Sequence, residues 1–139
     1  MAPDFEAPTP AGGVVRLSTL LGGGPLVLIF TGDPGHLAPF ERLRGRFRRA
    51  GARLLAVVAG DPRRVALAVR LWRLGFTVAA DPGGRVASLY GAVRRLGPLV
   101  RVETVVYLVS GRGVVEEVFR GLRPEELALA ALEAVEGRV

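Results

Sequence analysis

The sequence predicts an α/β protein, with a central mixed β-sheet flanked by helices and ending in a β-hairpin and a C-terminal helix. Three observations carry this expectation. Short continuous apolar runs alternate with segments whose apolar residues recur every three or four positions, the pattern of buried strands between amphipathic helices. Gly and Pro punctuate the boundaries between those segments. No repeat, linker or low-complexity tract breaks the 139 residues, so one domain is expected over 1–139.

Leu26-Val27-Leu28-Ile29-Phe30 follows Gly22-Gly23-Gly24-Pro25 and reads as a buried strand. Leu37, Phe40, Leu43, Phe47 and Ala50 then recur at helical spacing with arginines between them, giving one amphipathic helix that ends at Gly51 and is kinked by Pro39 inside it. Leu54-Leu55-Ala56-Val57-Val58 is a second buried strand. Asp61-Pro62 opens the next helix, because an Asp side chain accepts free N–H groups of the first turn and Pro suits the first helical position. Its expected apolar face is Val65, Leu67, Ala68, Leu71, Trp72 and Leu74, and Gly75 is expected to stop it. Phe76 to Ala80 is a short strand, followed by a turn at Asp81-Pro82-Gly83-Gly84 and a short helix through Tyr90. Residues 102–109 and 114–119, joined at Ser110-Gly111-Arg112-Gly113, form the hairpin. Pro124-Glu125-Glu126 starts the last helix, with its acids where the helix dipole favours them and its buried face at Leu127, Ala131, Leu132 and Val135.

Composition bounds the setting. Half the residues are apolar and 23% are charged, as in a water-soluble globular protein, and no apolar run approaches the ~20 residues of a membrane span. The start Met1-Ala2-Pro3-Asp4 lacks the basic and apolar regions of a signal peptide, so a cytoplasmic location and no membrane association are expected. All 19 basic residues are Arg, and Lys, Asn, Gln and Cys are absent. That profile fits heat adaptation together with codon bias in a GC-rich genome, and says nothing about activity.

Several ordered segments resemble the peroxiredoxin branch of the thioredoxin-like fold, of the alkyl hydroperoxide reductase and bacterioferritin-comigratory-protein type. Ala2-Pro3-Asp4-Phe5 resembles that family's opening, and Val15-Arg16-Leu17-Ser18-Thr19-Leu20 its next stretch. Phe47-Arg48-Arg49-Ala50-Gly51-Ala52 is similar to the end of its long helix. Leu74-Gly75-Phe76 and Asp81-Pro82-Gly83-Gly84-Arg85-Val86-Ala87-Ser88-Leu89-Tyr90-Gly91 match the pattern around its D-P-x-G-x-V-A-x-x-Y-G signature. The resemblance implies a thioredoxin-like fold and a lineage of thiol peroxidases. A thiol peroxidase acts through a cysteine thiolate, and this chain has no cysteine.

In the family, the reactive cysteine sits between the strand ending here at Phe30 and the helix ending here at Gly51. Anchoring on the strand puts its place at Gly35 to Ala38; anchoring on the helix puts it at Phe30 to Asp33. The stretch is therefore shortened as well as substituted, which argues against simple engineered replacement of cysteine. The family's Arg at the later strand falls near Thr104, with Arg101 three residues early. No family catalytic residue is carried over.

The degenerate former site is expected at Thr31, Gly32, Asp33, Gly35, His36 and Thr104. His36, the only histidine, could serve as a general base beside Asp33, but the favoured reading is an ordinary loop histidine. Asp33-Pro34 is read as a helix cap rather than an anion site, since its carboxylate repels anions. Glu103 beside Thr104 is unsuited to stabilising a peroxide's developing negative charge. No cofactor and no metal are expected, because one His and scattered carboxylates make a poor ligand set. Arg42, Arg46 and Arg49 form a basic stripe that, with a net charge of +6, allows non-specific nucleic-acid binding. That reading is subordinate, as no recognition motif accompanies the stripe. The leading expectation is a protein-binding or assembly module without thiol peroxidase activity, self-associating as a homodimer or joining a protein partner through Leu96-Gly97-Pro98-Leu99-Val100. A non-thiol activity at His36 and Asp33 is the enzymatic alternative.

Overall fold

The computed structural model describes residues 1–138. Strands β3 (Leu26–Thr31), β4 (Arg53–Ala59) and β5 (Thr77–Asp81) run parallel, while β8 (Val105–Val109) and β9 (Val115–Phe119) join antiparallel, in the spatial order β5-β4-β3-β8-β9. This is the expected mixed sheet of a thioredoxin-like fold. Because helices and loops cover both faces, β3 is buried along its whole length, which is why it reads as an unbroken apolar run.

Alternate residues of β3 serve different cores. Val27 and Ile29 join Phe40, Phe47, Val65 and Leu132 on the face covered by α2 (Ala38–Arg42), α3 (Arg44–Arg49), α4 (Pro62–Leu71) and α6 (Pro124–Glu136). Leu28 and Phe30 join Phe5, Val86 and Tyr107 on the other face. There Phe30, Tyr90 and Tyr107 pack with ring centroids 4.9–5.7 Å apart, two of the three pairs edge to face. This second face is closed by α5 (Arg85–Tyr90) and by a hairpin of β1 (Glu6–Pro8) and β2 (Val14–Arg16), which leads into the single turn α1 (Leu17–Leu20).

Asp61 caps α4 as expected, accepting the Arg64 N–H at 3.0 Å. Asp81 is buried and receives the N–H groups of Val86 and Ala87, fixing the start of α5. Gly83 and Gly84 have φ of 72° and 67°, so the Asp-Pro-Gly-Gly run is a tight turn that side chains with a Cβ resist.

Five expectations need correction. The single helix from Leu37 to Ala50 is a 3₁₀ turn at Pro34–Leu37 followed by α2 and α3, which part at Leu43. Pro39 does not kink a helix interior; it lies in the first turn of α2, where its missing N–H leaves no bond unmade. On α4, Leu67, Leu71 and Trp72 are exposed, and the buried side is Val65 with the half-buried Val69. The helix ends at Leu71 rather than Gly75, with Arg73 taking the left-handed position at φ 50°. Finally, Val102 belongs to a separate hairpin, β6 (Val93–Leu96) with β7 (Leu99–Val102), rather than to β8. Among the described residues no helix is long and apolar enough to cross a membrane.

Candidate functional site

The carboxyl ends of parallel strands are where α/β sheets present loops to ligands. Here the loop after β3 carries Gly32, Asp33 and His36, β4 ends at Ala59, and the segment before β8 carries Glu103 and Thr104. Over them stands the β6–β7 hairpin with Arg94, Leu96 and Arg101. Together these residues line an open cleft of about 640 Å³.

A chain of polar contacts closes its inner end. Thr31, fully buried, lies 2.8 Å from Thr104 through the hydroxyl oxygens, and Thr104 Oγ1 lies 2.8 Å from His36 Nδ1. Thr31 Oγ1 accepts the Asp33 N–H at 3.0 Å. His36 Nε2 faces Asp33 Oδ2 at 3.4 Å, and Asp33 Oδ1 accepts the Gly35 N–H at 3.0 Å.

Proton counting orders this chain. The single Thr31 proton has two acceptors in reach, the Asp33 carbonyl at 3.0 Å and Thr104 Oγ1 at 2.8 Å. Donation to Thr104 frees the Thr104 proton for His36 Nδ1, and a neutral imidazole then turns Nε2–H toward the Asp33 carboxylate. The opposite order puts the proton on Nδ1 and leaves a bare Nε2 lone pair against that carboxylate. For a neutral ring the first arrangement is favoured, with Thr104 donating to His36.

The structure thus brings Thr31, Gly32, Asp33, Gly35, His36 and Thr104 into one neighbourhood. Asp33 and Pro34 do act as a cap, though of a 3₁₀ turn. Glu103 lines the cleft but is held at 2.7 Å by Arg120, whose guanidinium is pushed further up by that contact. The stripe Arg42, Arg46 and Arg49 is divided between α2 and α3, and Arg46 pairs with Glu136 at 2.9 Å. Arg94 and Arg101 were missing from the expected site. Arg101, three residues early by sequence counting, is carried to the cleft by β7 opposite Arg94. The readable signal was Gly97-Pro98 between Leu96 and Leu99, a two-residue hairpin loop with Gly97 at φ 61°. Among the described residues no group of three or more His, Asp or Glu is placed to hold a metal ion.

The AhpC/TSA family model matches residues 1–118. A Mycobacterium tuberculosis protein provisionally named a peroxiredoxin is 28% identical over 145 residues, covering 95% of this chain and 93% of the relative. Peroxiredoxin Q, chloroplastic, of Populus jackii is 26% identical over 131 residues, covering 89% of this chain and 61% of its own. The fold is shared with peroxidoxin BcpB from Mycobacterium tuberculosis at a TM-score of 0.88 and 24% identity, over 98% of this chain and 94% of that one. It is shared too with a Xanthomonas campestris peroxiredoxin Q mutant at 0.88 and 18%, over 97% and 92%. With the family model matched over residues 1–118 and the fold shared with solved peroxiredoxins, the chain belongs to the AhpC/TSA family, as a member that has no cysteine.

Proposed function

We propose that this protein is a non-peroxidatic member of its family that works as a protein-binding or assembly module, with a second copy of the chain as its partner. The observation that carries the reading is the inner end of the cleft, where Thr31, Thr104 and His36 satisfy one another and no thiol exists to form a thiolate. The self-association half draws on the β6–β7 hairpin, where Leu96, Leu99 and Val100 are 46%, 63% and 52% exposed. Two measurements test it. Peroxide consumption with a dithiol reductant should not exceed the protein-free rate. Sedimentation velocity should give a dimer that Leu99→Asp converts to monomer. Catalytic peroxide turnover, or a monomer at every accessible concentration, would overturn the corresponding half.

The Thr104–His36–Asp33 alignment supports a second, enzymatic reading. With a neutral His36 ring accepting the Thr104 proton at Nδ1 and Asp33 facing Nε2, the three have the connectivity of an activated hydroxyl nucleophile. Hydrolysis of an activated ester that disappears in both His36→Ala and Thr104→Val, with the fold retained, would favour this reading over the first.

A further inference from the structure

In the β6–β7 ladder, Arg94 stands directly opposite Arg101, so the two side chains project from one face of the hairpin, and both line the cleft. Like charges directly opposite on paired strands destabilise the pair. A stray surface arginine needs no explanation in a chain this rich in them, but a facing pair on a short exposed hairpin, both lining the same cavity, does. Neither guanidinium has a carboxylate partner among the described residues, whereas the cleft's two acids are already engaged. Asp33 is held by the Gly35 N–H and faces His36, and Glu103 is bound by Arg120.

We propose that the Arg94–Arg101 pair is the binding element for a small organic or inorganic dianion, one whose carboxylate or phosphate oxygens receive both guanidinium groups. Arg presents a planar fork of donors that matches such oxygens two at a time, and one bound dianion relieves the repulsion between the pair. The cleft volume of about 640 Å³ suits a metabolite-sized ligand. Leu96 supplies apolar wall beside the charged groups. The inference rests on the non-peroxidatic reading of the site, since it assigns the cleft to binding rather than turnover.

The test is calorimetric titration of the whole chain with succinate and, separately, with inorganic phosphate, at a mildly alkaline pH where each is a dianion, against sodium chloride at matched ionic strength. At least one dianion should bind saturably with one site per chain, and which one binds identifies carboxylate or phosphate as the natural chemistry. Arg94→Ala and Arg101→Ala should each weaken that binding about tenfold or more. Arg42→Ala, outside the cleft, should leave it unchanged. Both cleft variants are exposed and should melt no lower than the parent in the absence of anion, because each removes a like-charge neighbour. Failure of both dianions to bind, or equal binding by the parent and the two cleft variants, overturns the inference. Peroxide turnover assayed on the same preparations reports separately on the non-peroxidatic reading. Turnover with anion binding intact would remove that reading alone; no turnover and no binding would remove this inference alone.

Discussion

The hydroxyls of Thr31 and Thr104 lie 2.8 Å apart although 73 residues separate them in sequence, tying the end of β3 to the segment leading into β8. Thr104→Val keeps the shape and removes the hydroxyl shared with Thr31 and His36. Leaving those partly buried groups without it should cost about 1–3 kcal/mol, read as a lower urea midpoint at unchanged slope. Thr104→Ser should stay near the parent. Equal midpoints for the parent and Thr104→Val would mean that the contact does not contribute to stability.

Gly84, in the turn between β5 and α5, is where Val102 of the β6–β7 hairpin packs down. A Cβ there would come within 2.9 Å of Val102 Cγ2, and φ is 67°, so both space and backbone oppose a side chain. Gly84→Ala should destabilise by about 1–3 kcal/mol. Trimming the obstacle as well, in Gly84→Ala with Val102→Ala, should recover less than the whole loss, because the backbone component remains.

The alkaline limb of stability belongs to two phenols. With no cysteine and no lysine in the chain, Tyr90 and Tyr107 are the only side chains whose ordinary titration falls near pH ~10. Burial raises both, and for Tyr90 the Asp4 carboxylate raises it further. A native value above the unfolded one means stability is intact below the unfolded phenol's pKa and declines as pH climbs toward the native value. Phenolate absorbance should therefore appear together with loss of the fold above pH ~10. Phenolate forming while the fold stays intact would contradict the burial argument.

At the acid end, Asp4 behaves in the opposite sense. Its carboxylate accepts the N–H groups of Ser18 and Phe5, which holds it below the ordinary value of 3.8. The stabilisation is present above that ordinary value and lost as pH falls through the lower native one. Asp4→Asn should melt earlier than the parent at neutral pH and match it once the parent's Asp4 carboxyl is protonated. A gap that persists unchanged into strong acid would place the effect elsewhere.

Much of the sheet was legible because β3, β4 and β8 are buried on both faces, and burial writes itself into sequence as unbroken apolar runs. The caps at Asp33 and Asp61 were legible because their chemistry is local. What escaped depended on register or exposure. Strands β1 and β2 have three residues each, too few to show a period. The β6–β7 hairpin is mostly solvent-exposed, so its arginines and leucines show no buried face, and only pairing across the turn brings Arg94 to Arg101. Helix α4 misled for a related reason: Leu67, Leu71 and Trp72 are apolar but exposed, so composition pointed to a face that packing does not use.

The β6–β7 hairpin is anchored at its base, where Val93 and Val102 pack against the second core. Val102 lies against Gly32 and Gly84, and the Glu103 N–H donates to the Ala92 carbonyl at 2.9 Å where the hairpin begins and ends. Its tip carries no strand of the main sheet. Residues 94–101 can therefore be exchanged by evolution, or by design, as an interchangeable cassette. New chemistry can be written over the mouth of the cleft while the sheet beneath it stays as it is, which gives this scaffold a route to change its vocabulary without relearning how to fold.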